Sequence, residues 1–261
     1  MSSLPYVRFD PTGNITVFII TPVSRPLQPG LAAKIMNSGR FACEQVGFLE
    51  PPCDGGARLH LQMMGGEFCG NAAMSAAAYI AFLDGLKPGQ TAAVPLEVSG
   101  AEGVLNCTAR SVPGGWEGTV PMPAVNAVEG RNGLVFMHMN GILHIILRKS
   151  IPDAEAETLL RSLAQSASED AVGLLQWADG FLKPLVLVKS TGTLVWETGC
   201  GSGSAAVGAY EALRSGNGTT ATPVRQPGGT ITVQAENKDG HIVDISVTGH
   251  VKMLEYGMID I

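Results

Sequence analysis

The chain has 261 residues, of which 45% are hydrophobic and 15% charged, with 33 glycines and a formal net charge of -6. This composition is typical of a well-cored globular protein with many turns and excludes a disordered or fibrous chain. The acidic balance, without a run of Lys and Arg, disfavours nucleic acid and anionic membranes, because both need clustered basic side chains. A small molecule is therefore the expected partner.

The length of the chain and its first residues indicate the number of domains and the expected cellular compartment. A chain of 261 residues suits two domains of about 130 residues each. The first ten residues lack the basic start and apolar core of a signal peptide, and the apolar stretch "AAAYIAFL" is far shorter than a membrane span. We expect a cytoplasmic protein with no membrane association.

The predicted elements occur in the same order in both halves of the chain. An apolar run at 15–20 predicts a strand, and the residues at 29–39 predict a helix. In the second half, 142–147 reads as a strand and 153–167 as a helix with Asp153 as its N-cap. The repeated order predicts an internal duplication.

Two cysteines each stand immediately before an alanine-rich helix in this repeat. Cys69 lies in "GGEFCGNAAMSAAAY" and Cys200 in "TGCGSGSAAVGAY", 131 positions apart (200 minus 69). Each is followed by a glycine, Gly70 or Gly201, and by Ala-Tyr nine and ten positions later. The match in both period and local pattern predicts two equivalent sites, each with a central helix buried on all sides.

The start of a helix gives such a cysteine a specific chemistry. The first backbone N–H groups lack partners and carry the positive end of the helix dipole, so they bind anions and lower the pKa of a thiol. Gly70 and Gly201 have no Cβ and let a ligand come close, while Asn71 and Ser202 supply further hydrogen bonds. The alternative for either copy is that Cys-Gly only packs a tight turn.

Paired thiols at one carboxylate predict a reaction type. If the two sites face each other, one thiolate removes the α-proton of an amino acid and the opposite thiol delivers one. This is racemisation or epimerisation, and the two helix termini stabilise the enolate-like carboxylate without any cofactor.

The other cysteines and the histidines indicate no metal site. There is no C-x-x-C pair and no histidine at zinc-ligand spacing, so neither a structural zinc nor a disulfide framework is expected. Cys53 and Cys107 are predicted to be small buried apolar residues. The five histidines make no cluster and are assigned to the core or the surface.

Several motifs together resemble a known superfamily along essentially the whole chain. They are "DPTGN", "CEQVGF", "FCGNA", "WETGCGSGSA" and "QPGG". The combination resembles the diaminopimelate epimerase superfamily of cofactor-independent, two-cysteine racemases and epimerases, and within it the histidine racemases of staphylopine-type metallophore biosynthesis.

The resemblance implies an α+β fold with two pseudo-symmetric domains, 1–125 and 126–251, each a mostly antiparallel, barrel-like sheet around a central helix. It implies an active site between the domains, with Cys69 and Cys200 catalytic, and a final strand at 252–261 that returns to the first domain.

The resemblance also assigns substrate contacts. Asn14 and Asn71 match positions that hold the amino and carboxylate groups of the substrate. Glu44 and Glu197 match acidic positions of the histidine racemases, and a carboxylate suits an imidazole ring. The alternatives are a turn role for Asn14, a loop cap for Glu44 and a turn-orienting role for Glu197. The "RQPGG" segment is interpreted as a hairpin turn rather than a ligand contact.

The chain departs from diaminopimelate epimerases in two places. The stretch "GILH" stands where those enzymes carry Gly-Asn-Pro-His, and their Glu-Arg-Gly segment before the second cysteine is absent. We therefore predict an amino-acid racemase acting on histidine, with another amino acid such as diaminopimelate as the alternative substrate. A non-catalytic amino-acid-binding or thiol redox-switch protein is the alternative from another class, and a homodimer is left open.

Overall fold

The computed structural model describes residues 3–260, and residues 1, 2 and 261 lie outside the described part. The chain divides into two compact units. The first comprises the described part of Met1–Pro121 and of Thr248–Ile261, and the second is Met122–Val247. Strands and a few helices build both units, which confirms the predicted α+β class.

The first unit is a sheet wrapped around one helix. Its elements are β1 (Ser3–Pro11), β2 (Thr16–Ile19), α1 (Gln28–Asn37), β3 (Gln45–Glu50), β4 (His60–Met63), α2 (Gly70–Leu83), β5 (Thr91–Val98), β6 (Val104–Val112) and β7 (Gly115–Pro121).

The second unit repeats this plan and continues into the last strand of the chain. Its elements are β8 (Val125–Arg131), β9 (Leu134–Met139), β10 (Ile142–Leu147), α3 (Asp153–Ala164), β11 (Ala171–Ala178), β12 (Phe181–Val188), β13 (Thr193–Trp196), α4 (Gly201–Ser215), β14 (Gly218–Gln226) and β15 (Gly229–Lys238), followed by β16 (His241–Asp260).

Strand pairing closes the first unit around α2. The strands are hydrogen-bonded in the order β1 to β7, and the C-terminal part of β16 pairs with both β7 and β1. Helix α2 contacts β1, β5, β6 and β7, and its alanines are buried on all sides because they are small enough to fit inside the ring. The predicted barrel-like sheet with a central helix is therefore confirmed in this unit.

In the second unit the order is β9, β10, β11, β12, β14, β15, with β8 beside β9 and β13 beside β12. Helix α4 packs mainly on β14 and β15. A Cβ atom added to Gly208 of α4 would overlap the side chain of Val233, so glycine allows this close approach of helix and strand.

The connectivity of the first unit recurs in the second. β2 and β3 are parallel across α1, as β10 and β11 are across α3. β4 and β5 are parallel across α2, as β12 and β14 are across α4. The internal duplication predicted from the sequence is therefore present in the strand order.

The outer helices α1 and α3 cover the opposite face of each sheet. Helix α3 buries Ala156, Leu160 and Ala164, which recur every four residues and so lie on one side of the helix. They pack against apolar residues of β10, β11 and β12. Burial of one leucine side chain in such a layer stabilises the fold by roughly 1.5 to 3 kcal/mol.

Two local predictions were wrong. Pro152, not Asp153, is the N-cap of α3, because its carbonyl accepts the first helical hydrogen bond, from Ala156. The Asp153 carboxylate instead pairs with Lys183. Cys53 is exposed in the loop after β3, where its N–H donates to Glu97, rather than buried.

Other predictions hold. The predicted strand at 142–147 coincides with β10, and the predicted helix at 29–39 is α1 with its ends shifted by one or two residues. Cys107 is buried, as predicted. Within residues 3–260, no helix is both long and apolar enough to cross a membrane.

Candidate active site

Cys69 and Cys200 both occupy the N-cap of a central helix. Cys69 has extended backbone angles (φ -134°, ψ 111°), and its Sγ accepts a hydrogen bond from the N–H of Ala72 at 3.5 Å. Cys200 has nearly the same angles (φ -112°, ψ 106°), and its Sγ accepts from the N–H of Gly203 at 3.2 Å. The sulfur thus replaces the side-chain oxygen of an ordinary N-cap, at the positive end of the helix dipole.

We call the surroundings of the first sulfur the Cys69 site. The Cys69 thiol donates to Oε1 of Gln45 at 3.1 Å. Nε2 of Gln45 donates to Oδ1 of Asn14 at 2.6 Å and to Thr16 at 2.7 Å, and Nδ2 of Asn14 donates to Oε2 of Glu44 at 2.6 Å. A chain of amides therefore connects the sulfur to a carboxylate.

The fold explains why Asn14 and Glu44 meet. Each residue lies just before one of two neighbouring parallel strands, β2 and β3, whose N-terminal ends share one edge of the sheet. A turn with left-handed Thr12 and Gly13 precedes Asn14. Asn14 therefore follows the turn that the sequence predicted and also contacts the predicted acidic residue.

We call the surroundings of the second sulfur the Cys200 site. The N–H of Cys200 donates to Oε1 of Gln226 at 2.7 Å, and Nε2 of Gln226 donates to Oγ of Ser204 at 2.8 Å. Ser204 in turn donates to the carbonyl of Cys200 at 2.6 Å. These bonds fix the backbone of Cys200 on both sides of its α-carbon.

Two polar side chains contact the second sulfur itself. Cys200 hydrogen-bonds the carboxylate of Glu197, and its Sγ lies 3.6 Å from Oγ of Ser202. Ser202 also lies 3.0 Å from Nε2 of His144, a wholly buried side chain of β10. The second sulfur is thus the centre of a polar cluster.

Burial and charge raise the pKa of Cys200 well above that of an ordinary thiol. Removal from water is the largest cause, the negative charge and hydrogen bond of Glu197 add to it, and Ser202 and the Gly203 N–H oppose it. The expectation that the helix dipole would lower the pKa of this thiol is therefore wrong for Cys200, because loss of solvent outweighs the dipole. The neutral thiol is its favoured form.

The remaining predicted residues follow the cysteines along the helices. Gly70 and Asn71 form the first turn of α2 and are buried, and Gly201 has the same position in α4. The predicted residues thus fall into two groups. The Cys69 site includes Asn14, Glu44, Gly70 and Asn71, and the Cys200 site includes Glu197, Gly201 and Ser202.

The sequence did not identify three residues that contact these groups: Gln45, Gln226 and His144. Gln226 lies in "QPGG", which forms the predicted hairpin turn between β14 and β15, but its side chain also reaches Cys200. Gln45 lies within "CEQVGF". Both glutamines therefore belong to motifs that the sequence analysis singled out, although no contact with a cysteine was predicted for either. Among residues 3–260, no group of three or more His, Cys, Asp or Glu could hold a metal ion.

The relatives that match the whole chain define it as an isomerase, an amino-acid racemase. The model of the family described as "Histidine racemase CntK N-terminal domain" matches residues 3–259, and the chain belongs to this family.

Two relatives are similar over nearly their whole length. The histidine racemase of Staphylococcus aureus is 27% identical over 269 residues, which cover 97% of this chain and 96% of that protein. A histidine racemase of Fusobacterium nucleatum is 30% identical over 271 residues, which cover 98% of this chain and 96% of that protein.

Solved structures share the fold at low sequence identity. A structure described as a predicted epimerase from Pseudomonas aeruginosa has a TM-score of 0.72 at 15% identity, covering 98% of this chain and 99% of that one. A hydroxyproline epimerase from Agrobacterium vitis with bound trans-4-hydroxy-L-proline has a TM-score of 0.68 at 13% identity, covering 99% and 91%.

Proposed function

We propose that this racemase interconverts L- and D-histidine, with Cys69 and Cys200 as its two acid–base groups. The observation that carries the proposal is that each sulfur caps the N-terminus of a central helix, in a chain whose relatives are histidine racemases. We propose that the protein acts in the cytoplasm, within metallophore biosynthesis, without a cofactor.

The proposed reaction removes the proton from one face of the α-carbon and delivers a proton to the opposite face. The thiolate of one cysteine takes the α-proton, and the electrons of the broken C–H bond pass into the substrate carboxylate, which becomes enolate-like. Backbone N–H groups in the first turns of the two helices stabilise the growing charge. The thiol of the other cysteine then protonates the opposite face, which gives the mirror-image amino acid and leaves that sulfur as the thiolate.

The surroundings of the sulfurs support a starting state for this cycle. Because the contacts of Cys200 favour its neutral thiol, we assign Cys200 as the proton donor in the resting enzyme. Cys69, whose thiol donates to the amide of Gln45 and accepts from the N–H of Ala72, is then the first base. After one turnover the two roles are exchanged, and the reverse reaction restores them.

We propose that Glu44 recognises the substrate side chain. Its Oε2 already accepts from Asn14 at 2.6 Å, which holds the carboxylate at the end of the amide chain from Cys69. A carboxylate fixed in this way accepts a ring N–H of imidazole in either protonation state of the ring. Glu197 contacts Cys200 and so has a role at the sulfur in addition to the substrate contact proposed for it.

The experiment uses circular dichroism to measure the racemisation of each amino acid by wild type and by Glu44→Gln. The control is Glu102→Gln, which changes an exposed loop carboxylate. Loss of a charged hydrogen bond costs roughly 1.5 to 3 kcal/mol, so Glu44→Gln should lower kcat/KM for histidine about ten- to a hundredfold. Racemisation of an uncharged amino acid of similar size should change less. An unchanged ratio of histidine to other substrates would remove Glu44 from the proposal, and failure of wild type to racemise histidine would leave another amino acid as its substrate.

A further inference from the structure

His144 is a buried polar residue that the proposed reaction does not use. Its side chain is completely buried in β10, and its Nε2 lies 3.0 Å from Oγ of Ser202 in the first turn of α4. The same Oγ lies 3.6 Å from Sγ of Cys200. The three side chains form a chain from the core of the second unit to the sulfur.

The other ring nitrogen of His144 determines which tautomer is present. Nδ1 is buried and has no hydrogen-bond partner among the described residues. It faces the backbone of Gly173, where an added Cβ would overlap the ring. A hydrogen on Nδ1 would therefore be an unpaired buried donor, which is rarer and less favourable than an unpaired acceptor.

The ring hydrogen therefore belongs on Nε2. Burial lowers the pKa of His144 to about 3, so the ring is neutral and carries one hydrogen only. With that hydrogen on Nε2, the ring donates to Oγ of Ser202, and the serine oxygen acts as the acceptor in this contact.

The direction of the serine hydroxyl follows from this. Because Oγ of Ser202 accepts from His144, its own hydrogen is available to a second group, and Sγ of Cys200 is within reach. We propose that His144 is a positioning residue that turns the hydroxyl of Ser202 towards the sulfur of Cys200. The hydroxyl then stabilises the thiolate of Cys200 and opposes the carboxylate of Glu197 on the same sulfur.

The inference deepens the proposed function, since it matters for turnover only if Cys200 is an acid–base group. In the reverse half of the cycle Cys200 must start as a thiolate, and a hydroxyl hydrogen aimed at the sulfur stabilises that state. No proton needs to leave His144, because the ring stays neutral and only holds the serine.

The test measures Cys200 directly, without a substrate. Alkylation by iodoacetamide is followed from pH 6 to 10 by mass spectrometry of the Cys200 peptide, in wild type, Ser202→Ala, His144→Leu and His144→Gln. Loss of a hydrogen bond to a charged group should lower the thiolate fraction near neutral pH about tenfold or more in Ser202→Ala and in His144→Leu. His144→Gln should retain most of the wild-type rate, since its amide also carries an N–H donor.

The double variant His144→Leu with Ser202→Ala separates positioning from packing. If His144 acts through Ser202, removing the ring has no further effect on the alkylation of Cys200 once the hydroxyl is gone. An equal effect of His144→Leu in both backgrounds, or an unchanged rate in Ser202→Ala, would overturn the proposal.

A spectroscopic measurement covers the case in which His144→Leu does not fold. Nitrogen NMR of the wild type with labelled histidine should show that the ring of His144 carries its hydrogen on Nε2 and none on Nδ1. The signals of His144 are identified as those that shift in Ser202→Ala. A ring protonated on Nδ1 would contradict the proposal. Neither readout requires turnover, so a failure of histidine racemisation leaves both results interpretable and tests the proposed function separately.

Discussion

The two cysteine sites have the same backbone and different surroundings. Both sulfurs cap a central helix with extended backbone angles and accept an N–H from its first turn. Cys69 is half-buried and donates to the neutral amide of Gln45, whereas Cys200 is buried and contacts a carboxylate and a hydroxyl. The duplicated fold thus gives the two sulfurs the same helix-capping position, and the residues around Cys200 raise its pKa.

This difference suits a reaction that needs one thiolate and one thiol at the same time. A symmetric pair would favour the same state on both sulfurs, and the enzyme would then have two bases or two acids. The carboxylate of Glu197 hydrogen-bonds Cys200 and favours a proton on it.

The largest effect on activity is expected when either sulfur is removed. Cys69→Ser and Cys200→Ser should each reduce racemisation of histidine by about 10² to 10⁴, because an alcohol is a much weaker acid than a thiol. Circular dichroism measures turnover from each enantiomer, and exchange of the α-hydrogen in D₂O shows whether one face still reacts. Cys53→Ser, at an exposed thiol, is the control. Full racemisation by either catalytic-site variant would exclude a two-base reaction.

The second prediction concerns stability at acid pH, which depends on the buried imidazole of His144 next to the Cys200 site. The folded-state pKa of His144, about 3, lies below the ordinary value of 6.5, so the unfolded chain binds a proton that the fold excludes. This contribution to stability is complete above pH 6.5 and is lost towards pH 3, at roughly 1.4 kcal/mol per pH unit.

Urea unfolding of wild type and His144→Leu at pH 7, 6, 5 and 4 measures this effect. The free energy of unfolding should fall more steeply with acid in wild type than in the variant. Parallel curves would show that the ring accepts a proton inside the fold, contrary to its burial.

A smaller effect is expected from the glycine that faces the second sulfur. A Cβ on Gly203 would lie 2.9 Å from Sγ of Cys200 and from Leu175, so Gly203→Ala should destabilise the fold by roughly 1 to 3 kcal/mol and slow turnover. Gly30→Ala is the matched control, since Gly30 lies in α1 with no atom near the added Cβ, and it should be neutral or stabilising by up to about 1 kcal/mol. Equal melting temperatures for the two variants would contradict the close packing at Cys200.

The repeated and local features of the molecule could be predicted from the sequence. The two alanine-rich helices, their cysteine N-caps and the strand at 142–147 follow from composition and spacing. The N-cap of α3 was misassigned to Asp153 because capping preference favours Asp, while the backbone turns one residue earlier, at Pro152.

The contacts around the sulfurs could not be predicted in the same way. Gln226 is 26 positions from Cys200, and His144 is 58 positions from Ser202, so nothing local in the sequence indicates these contacts. The pKa of Cys200 is raised mainly by burial, which depends on the tertiary fold. The helix dipole alone therefore predicts a shift in the wrong direction.

The central claim is that Glu197 favours the neutral thiol of Cys200, and the pH dependence of alkylation at Cys200 tests it most directly. Peptide mass spectrometry after iodoacetamide treatment should give a midpoint for Cys200 above that of an ordinary thiol. Glu197→Gln should lower this midpoint, because it removes the negative charge that raises the pKa of Cys200. A midpoint for Cys200 that Glu197→Gln leaves unaltered would contradict the account.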